Sequence, residues 1–235
     1  MSTLRIAWLG PMAEGGGVPG MGRILLHQLL AQGVEVDCFT SEPEPRVRTL
    51  VGDSANLQVI HSPVNWEWDR WYSRTQMGAF LSNTIQRARA HSRLCEMLVD
   101  RHKARRYEVI FQYSQFELLR LGKYLNQLPP VVIYTCVHAA GELTWHRRES
   151  TYARQSERAT THYMARAVQI FRAGKQRKEA QKPAMLIGMS KRFNELIVQD
   201  YGVDPTRLRV LYHPIEPPKV GNAIVPIDGR KIRVV

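Results

Sequence analysis

The sequence predicts an α/β domain of three layers built around a mainly parallel sheet. Three observations lead to this fold class. The first 40 residues follow the pattern strand, glycine-rich loop, helix and strand, which is one βαβ unit. Five further short apolar runs alternate with longer polar or helical segments. One of these runs, 131–136, is almost continuously apolar and β-branched, which suits a central parallel strand covered on both faces.

The opening unit consists of an apolar run at 4–9, a glycine-rich loop at 10–22 and a helical pattern at 23–31. A second apolar run follows at 34–40. Such a unit presents the backbone amides of the loop and the helix start above the carboxyl end of the first strand. This geometry suits an anionic group, most often a phosphate.

The later elements are predicted from periodicity and from helix start and stop signals. Segment 41–48 is polar, contains proline and is predicted to be a loop. The other predictions are strands at 57–60, 109–111, 131–136, 184–189 and 208–212, and helices at 79–106, from 114 to Pro129-Pro130, 143–181 and 190–201.

The chain changes character at His213. Residues 213–235 are rich in proline and glycine, which is linker composition, and 231–235 resemble the opening of a new strand. A folded domain rarely ends on an unpaired apolar strand. We therefore expect residues 1–212 to form one domain and residues 213–235 to lead into a second domain that has been lost or cut away.

The net charge of +12 is the one unusual bulk property of the 235 residues. It favours an anionic partner, either nucleic acid, a nucleotide or an anionic membrane surface. A plain solubilising surface is the alternative. Nucleic acid is the least favoured partner, because the basic residues are spread through helices and no RNP, KH or helix-turn-helix signature occurs.

Cysteine usage and hydropathy indicate the compartment. Cys38, Cys95 and Cys136 are an odd number at unrelated spacings, so we expect reduced thiols rather than a disulfide or a zinc site. No signal peptide is visible, and no apolar run approaches the roughly 18–20 residues of a membrane span. The expectation is a soluble, cytoplasmic protein.

The glycine loop by itself is weakly specific. Gly15, Gly17 and Gly20 have the spacing of the dinucleotide fingerprint, but Pro19 is awkward at a helix start. A ribose-binding carboxylate is expected at the end of the second strand, but Asp37 lies mid-strand and Thr40-Ser41 occupies the strand tip, which leaves only Glu42 as a late candidate. The sequence also does not match the Walker pattern, because no Lys-Ser/Thr pair follows the glycines. Neither a hydride-transfer site nor a P-loop is therefore favoured.

His138 is the best-placed candidate for chemistry. It lies just beyond the predicted central strand, where ligands bind in open α/β sheets. A histidine that hydrogen-bonds a loop backbone is the competing interpretation, and position alone leaves both open. No nucleophile elbow and no HExxH spacing occurs, so covalent or zinc-dependent hydrolysis is not expected.

Three segments together resemble a known family. They are the opening unit with Gly15-Gly16-Gly17, the strand ending in Tyr134-Thr135-Cys136-Val137-His138, and the run from Met189 through Tyr201-Gly202 to Glu216. Their order and spacing resemble the amino-terminal domain of GT-B-fold glycosyltransferases, particularly the retaining family 4 type (glycosyltransferase group 1). The resemblance covers about residues 4–60, 131–142 and 184–216.

This resemblance implies a Rossmann-like amino-terminal domain of an enzyme that transfers a sugar from a nucleotide-diphosphate sugar to an acceptor. It implies that Gly16 and Gly17 approach the donor diphosphate and that His138 hydrogen-bonds the donor sugar. The nucleotide sugar is a substrate, and neither a cofactor nor a metal is implied. Such catalysis depends on positioning and on electrostatic stabilisation of the leaving diphosphate.

The chain also departs from the family pattern. His213-Pro214 stands where an Asn-Gly turn is usual, and Ala139-Ala140 stands where an acid often follows the histidine. The donor-binding residues of the carboxy-terminal domain are not in the sequence. We therefore expect little or no transferase activity and weak nucleotide affinity from this chain alone.

The acceptor cannot be named from the sequence. In the resembling family it binds the amino-terminal domain, which makes Trp66, Trp68, Trp71 and Tyr72 candidates for an acceptor wall, with core packing as the alternative. The basic segment 143–182 is a candidate for contact with anionic lipid or an acidic glycan, or it is a solvated face. A binding module that kept the fold and lost catalysis is the competing function.

Overall fold

The computed structural model describes residues 4–12, 17–65, 70–113, 117–118, 120–136, 138–148 and 159–212. Within these ranges seven strands form one sheet in the order β3-β2-β1-β4-β5-β6-β7, and every neighbouring pair is parallel. The strands are β1 Arg5–Leu9, β2 Glu35–Thr40, β3 Leu57–His61, β4 Val109–Tyr113, β5 Val131–Thr135, β6 Met185–Gly188 and β7 Leu208–Val210. The predicted fold class is confirmed.

Six described α-helices cover the two faces of the sheet. They are α1 Gly17–Ala31, α2 Glu44–Val51, α3 Gln76–Ala104, α4 Ala139–Arg148, α5 Ala159–Glu179 and α6 Lys191–Tyr201. Short 3-10 turns occur at Trp71–Arg74, Leu121–Lys123, Leu125–Gln127 and Pro205–Arg207. None of the helices in the described ranges is long and apolar enough to cross a membrane.

Two apolar cores lie on opposite faces of the sheet, which makes the domain three-layered. On one face α1 and α2 pack through Leu26, Leu30 and Val47 against a stack of aromatic side chains. On the other face α3 and α6 pack through side chains such as Leu98 and Ile197. Side chains alternate between the faces along each strand, so each of the strands β1 to β6 contributes to both cores.

The strand order places a topological switch point at the centre of the sheet. From β1 the chain first builds outward through β2 and β3, and then returns to the other side of β1 with β4. The loops after β1 and β4 therefore diverge at the carboxyl edge of the sheet. This crevice is the position where open α/β sheets bind ligands.

Helix α1 begins earlier than the sequence predicts. Its first residue is Gly17 rather than Arg23, so Gly17, Gly20 and Gly22 lie inside the helix and the loop is shorter. Pro19 lies within the first turn, where the backbone N–H groups have no partner in the helix. Proline therefore costs little there.

Segment 41–48 is not the loop that its prolines suggest. Helix α2 begins at Glu44, with Pro43 at the N-cap and Pro45 in the first turn. Proline is tolerated at these positions because the N–H groups at the start of a helix have no partner within it. Val47 and Val51 are buried beneath the helix, which gives it an apolar face to pack.

The helix predicted from Ser114 to Pro129 was wrong in the part of the chain that the structure describes, where only 3-10 turns occur. The Glu117 carbonyl accepts a hydrogen bond from Gln112 Nε2 at 3.0 Å. The Leu121 amide donates to the carbonyl of Leu118 at 2.9 Å, three residues back. The side chain of Gln112, five residues before Glu117, thus takes the acceptor that an α-helix would use here.

The helical pattern predicted at 143–181 forms two described helices, with 149–158 outside the described residues. The first, α4, begins at Ala139 rather than Leu143. The capping predicted for α6 is confirmed: Ser190 Oγ accepts from the Phe193 amide, and Gly202 ends the helix in the left-handed conformation. The predicted linker at 213–235 lies outside the described residues.

Asp37 joins the sheet to α3 rather than facing a ligand. One carboxylate oxygen of Asp37 accepts hydrogen bonds from Arg5 at 2.7 Å, Tyr107 at 2.6 Å and Arg101 at 3.3 Å. Arg5 and Asp37 are both buried, and the Arg5 guanidinium also lies over the Tyr107 ring. Asp37 therefore has a structural role at the amino-terminal side of the sheet.

Gly22 allows close packing of α1 on the aromatic stack. A Cβ at Gly22 would lie 2.7 Å from Tyr113 Cε1, and that ring is held by stacking against Trp8 and Tyr134. We expect Gly22→Ala to lower the free energy of unfolding by about 1–3 kcal/mol, because helix and ring must separate. Chemical denaturation measures this change.

The matched control is Gly20→Ala in the same helix. No atom lies within 4 Å of a Cβ placed there. This variant should be neutral, or more stable by up to about 1 kcal/mol, through helix propensity alone. Equal effects of the two substitutions would contradict the close packing of α1 on Tyr113.

Candidate functional site

A cleft of about 410 Å³, which we name the edge cleft, lies at the carboxyl edge of the sheet at the switch point. Its floor includes Leu9 at the end of β1, Thr40 at the end of β2 and Gln112 in β4. The wall comes from the inner face of α3, and the rim from 10–11, 41–42 and Val64. Strand order and one long helix thus bring distant segments around one concave volume.

The polar groups around the cleft floor are held by the backbone. The Thr40 carbonyl accepts from the Ser62 amide at 3.0 Å, and its hydroxyl accepts from the Glu42 amide at 3.3 Å. Gln112 is buried, and its Nε2 donates to the Glu117 carbonyl. These contacts fix the strand ends, so the cleft is a pre-formed surface rather than a gap between mobile loops.

His91 on α3 is a titratable side chain in the wall of the cleft, and its pKa is far below the ordinary value of a histidine. Its Nδ1 lies 3.5 Å from Cys95 Sγ, and its Nε2 is buried. Burial, together with a smaller contribution from the nearby Lys175 ammonium, lowers the pKa of His91 from 6.5 to about 4. The wall therefore presents a neutral imidazole at pH 7.

A charged cluster joins the loop after β4 to the helices that follow β5. Arg172 Nε donates to Glu117 at 2.6 Å, and its NH1 group donates to Glu142 at 3.4 Å. The Leu118 amide donates to Glu179 at 2.9 Å. Glu117 is buried, so this cluster fixes α5 against the carboxyl edge and uses one of the predicted basic residues of segment 143–182 internally.

His138 follows β5 as predicted, but its ring is turned into the protein. The residue is only 4% exposed, and Nε2 lies 2.8 Å from the Asp200 carboxylate on α6. Phe193 and Tyr201 meet the ring edge-on, and a Cβ at Gly141 would lie 2.6 Å from its Cε1. The structure thus gives His138 a fixed orientation and a carboxylate partner.

The predicted donor-binding glycines are only partly described. Gly17 is the first residue of α1, while Gly16 lies outside the described residues. The amino end of α1 follows the loop after β1 and therefore lies on the carboxyl side of the sheet. Its first backbone amides have no partner within the helix, so this end of α1 is suited to an anion.

The predicted acceptor wall is also partly described, since Trp66 and Trp68 lie outside the described residues. Trp71 and Tyr72 form a 3-10 turn just before α3, and their rings meet edge-on at 5.6 Å. Trp71 is 78% exposed. Neither of these two residues lines the edge cleft; Tyr72 borders a separate depression of about 440 Å³ beside α3.

Sequence reasoning missed several residues of this edge. Gln112 carried a usable signal, because it is a polar residue in an otherwise apolar strand. His91 carried none, since a histidine in a long polar helix is ordinary. The pairing of His138 with Asp200 joins residues 62 apart in the chain, and only the fold could reveal it.

No group of three or more His, Cys, Asp or Glu side chains is arranged to hold a metal ion within the described ranges. Cys38 and Cys95 are buried, and burial raises the pKa of each thiol to about 12. These two thiols are therefore protonated at neutral pH and poor nucleophiles.

Neither the protein-family models nor the curated protein sequences gave a match to this chain. Solved structures do share its fold. A UDP-glucosyltransferase from Polygonum tinctorium is similar with a TM-score of 0.56 and 12% identity, over 97% of this chain and 56% of that chain. For LpCGTa in complex with UDP the values are 0.53 and 12%, over 92% and 54%.

A UGT transferase from Siraitia grosvenorii in complex with UDP is similar with a TM-score of 0.52 and 10% identity. The match covers 89% of this chain and 50% of that chain. The chain thus spans about half the length of these solved structures. At identities this low, the structural similarity establishes the fold alone. The retaining family 4 type is unconfirmed. The chain therefore has a Rossmann-like α/β fold that matches part of GT-B-fold glycosyltransferases.

Proposed function

We propose that this chain is the amino-terminal, acceptor-side domain of a GT-B-fold glycosyltransferase of the retaining family 4 type. The complete enzyme would transfer a sugar from a nucleotide-diphosphate sugar to an acceptor with retention. One observation carries the proposal: a pre-formed cleft of about 410 Å³ opens at the switch point of a sheet whose fold matches glycosyltransferases. Residues 213–235 would lead into the domain that supplies the other half of the donor site.

The amino end of α1 supports the donor side of this proposal. A helix of 15 residues that begins directly after the β1 loop directs its free amides and its dipole toward the carboxyl edge. We assign Gly16 and Gly17 to the donor diphosphate. Amide donors at this position would stabilise the negative charge that develops on the leaving diphosphate.

His138 is the proposed contact to the donor sugar. Its Nε2 already meets Asp200, so a sugar hydroxyl would be bound by Nδ1. The carboxylate would then act as a positioning group that fixes the tautomer and the ring orientation. Because His138 is only 4% exposed, this role needs a small opening of the α4 start, where Gly141 lies against the ring.

The acceptor is proposed to occupy the edge cleft and to extend onto the aromatic segment that follows it. Val64 lines the cleft, and the predicted wall of Trp66, Trp68, Trp71 and Tyr72 begins two residues later. Aromatic faces stack well on sugar rings, and the exposed Trp71 has a face available. A glycan or a lipid-linked glycan fits these features.

A titration of the 15N-labelled chain with UDP-, GDP- and ADP-sugars tests the proposal. We expect weak binding with Kd values in the millimolar range, on the order of −4 kcal/mol, because the proposed donor site would be completed by residues of a second domain. The amides of Gly16 and Gly17 should shift most, with no sugar transfer. Saturable micromolar binding or donor turnover by this chain would contradict the incomplete site.

Burial of His138 against Asp200 favours one alternative, a binding module with the same fold and no catalysis. That function predicts that glycans shift resonances of the edge cleft while no nucleotide sugar shifts Gly17. The same titration, repeated with oligosaccharides, separates the two functions. Attachment of segment 143–182 to an anionic membrane is a further proposal, and the presence of Arg172 in internal ion pairs weakens it.

A further inference from the structure

A second concave surface of about 670 Å³ lies on the outer side of α3. We name it the basic groove and define it by its charged residues Arg89, Arg93, Glu96, Arg120, Lys123 and Lys175. At 3.6 residues per turn, the α3 residues that line the groove and those that line the edge cleft lie on opposite faces of the helix. The basic groove is therefore separate from the edge cleft.

The positive charges of the groove converge from three parts of the chain. Arg89 and Arg93 belong to α3, and Lys175 belongs to α5. Arg120 precedes the first 3-10 turn after β4, and Lys123 is the last residue of that turn. A solvated basic helix carries its cations along one element. Here the fold brings separate elements around one volume, so the charges surround a space of molecular size.

These charges are not neutralised within the part of the chain that the structure describes. Five cations face one acid, Glu96, and none of the five forms a salt bridge to a described acidic side chain. Arg93 is held by neutral acceptors, Ser62 Oγ at 3.0 Å and the Pro63 carbonyl at 2.8 Å. Other described arginines, such as Arg48 and Arg101, do pair with acids.

The positive charge of the groove acts on a half-buried neighbour on α3. Lys175 contributes, after burial, to the lowered pKa of His91. This effect has the sign that a positive potential produces, because such a potential disfavours an imidazolium. A bound polyanion would relieve the mutual repulsion of the cations.

We propose that the basic groove binds a ligand that carries two or more closely spaced phosphate groups. Arginine forks donate two parallel hydrogen bonds to a phosphate, and lysines add compact point charges. The rim also contains Ile85, which is 49% exposed, and Ala88, so the ligand can carry an apolar portion beside its phosphates. The source is either a soluble oligophosphate or a phosphate-bearing lipid headgroup, and this site does not depend on the proposed transferase function.

Calorimetric titration of the full chain with sodium tripolyphosphate tests the site, at about 0.15 M salt where distant charges are screened. We expect saturable binding to the wild type. Charge reversal by Arg120→Glu with Lys123→Glu should weaken it at least about tenfold, because two charged contacts become repulsive. Both residues are exposed, so folding should persist, and circular dichroism checks this.

The matched control is Lys103→Glu with Arg106→Glu, which changes the net charge equally at exposed positions near the far end of α3. It should alter tripolyphosphate binding by less than about twofold at that salt concentration. Equal weakening by both double variants would overturn the site in favour of a general charge effect. Absence of saturable tripolyphosphate binding would overturn it as well.

A vesicle arm distinguishes the two sources of phosphate. Phosphatidylcholine vesicles that contain diacylglycerol pyrophosphate, a lipid whose headgroup carries two linked phosphate groups, are sedimented with wild type and the groove variant. Loss of vesicle binding in the groove variant, together with displacement by tripolyphosphate, supports a lipid headgroup. Unchanged vesicle behaviour together with lost tripolyphosphate binding supports a soluble ligand. Donor binding at Gly17 is measured separately, so failure of the groove and failure of the transferase assignment remain distinguishable.

Discussion

Asp37→Asn is expected to lower the free energy of unfolding by about 3–5 kcal/mol, as breaking one partner of a buried ion pair does. The carboxylate accepts hydrogen bonds from Arg5, Arg101 and Tyr107, and Arg5 is buried beside it. Asparagine keeps the shape but removes the charge, which leaves the buried Arg5 guanidinium with the more distant Glu35 carboxylate, 3.7 Å from its Nε, as its acidic partner. Urea unfolding followed by circular dichroism measures the loss.

Asp100→Asn is the matched control for this prediction. The Asp100 side chain is 79% exposed and pairs with Lys103 at 3.8 Å across the surface of α3. Removal of such a pair changes stability by less than about 1 kcal/mol. If Asp37→Asn were no more destabilising than this control, the buried network would not hold α3 to the sheet.

Stability should fall on acidification in a way that depends on His91. The pKa of this imidazole is lowered from 6.5 to about 4 in the folded chain, first by burial and then by Lys175. Between these pH values the unfolded chain holds a proton that the folded chain lacks, so lower pH favours unfolding. We expect His91 to contribute about 2–3 kcal/mol to the loss of stability between pH 7 and pH 4.

His91→Leu removes the titrating group while keeping a neutral side chain of similar size. The unfolding free energy of this variant should be less sensitive to pH than that of the wild type between pH 6.5 and pH 4. Urea titrations at half-unit pH steps compare the two proteins. Parallel pH profiles would show that the imidazole is solvated in the folded state and would refute its burial.

Local signals were sufficient for the elements whose apolar pattern agrees with their final burial. Strand β5 is apolar in sequence and covered in the fold, and α6 has both its Ser190 cap and its Gly202 stop. Local signals failed where one residue type occurs in two kinds of local structure. Pro43 and Pro45 suggested a loop but begin α2, because the first turn of a helix tolerates proline.

The candidate site could be anticipated only in outline. A ligand position beyond the parallel strands follows from the fold class alone, and the structure places a cleft there. The wall of that cleft could not be anticipated, because His91 lies on a helix between β3 and β4 whose orientation depends on packing. The helix predicted after β4 was wrong for a different reason, since the Gln112 side chain donates to the Glu117 carbonyl five residues later.

The sequence by itself determined the α/β class, the succession of strands and the net positive charge, because periodicity and composition are local or additive properties. Only the tertiary structure decided the partners of the charged side chains. Asp37 meets Arg5, His138 meets Asp200, and Arg120 converges with Lys175 on the basic groove. Such contacts depend on which distant segments the sheet order brings together. No local pattern in the chain encodes which of these segments become neighbours.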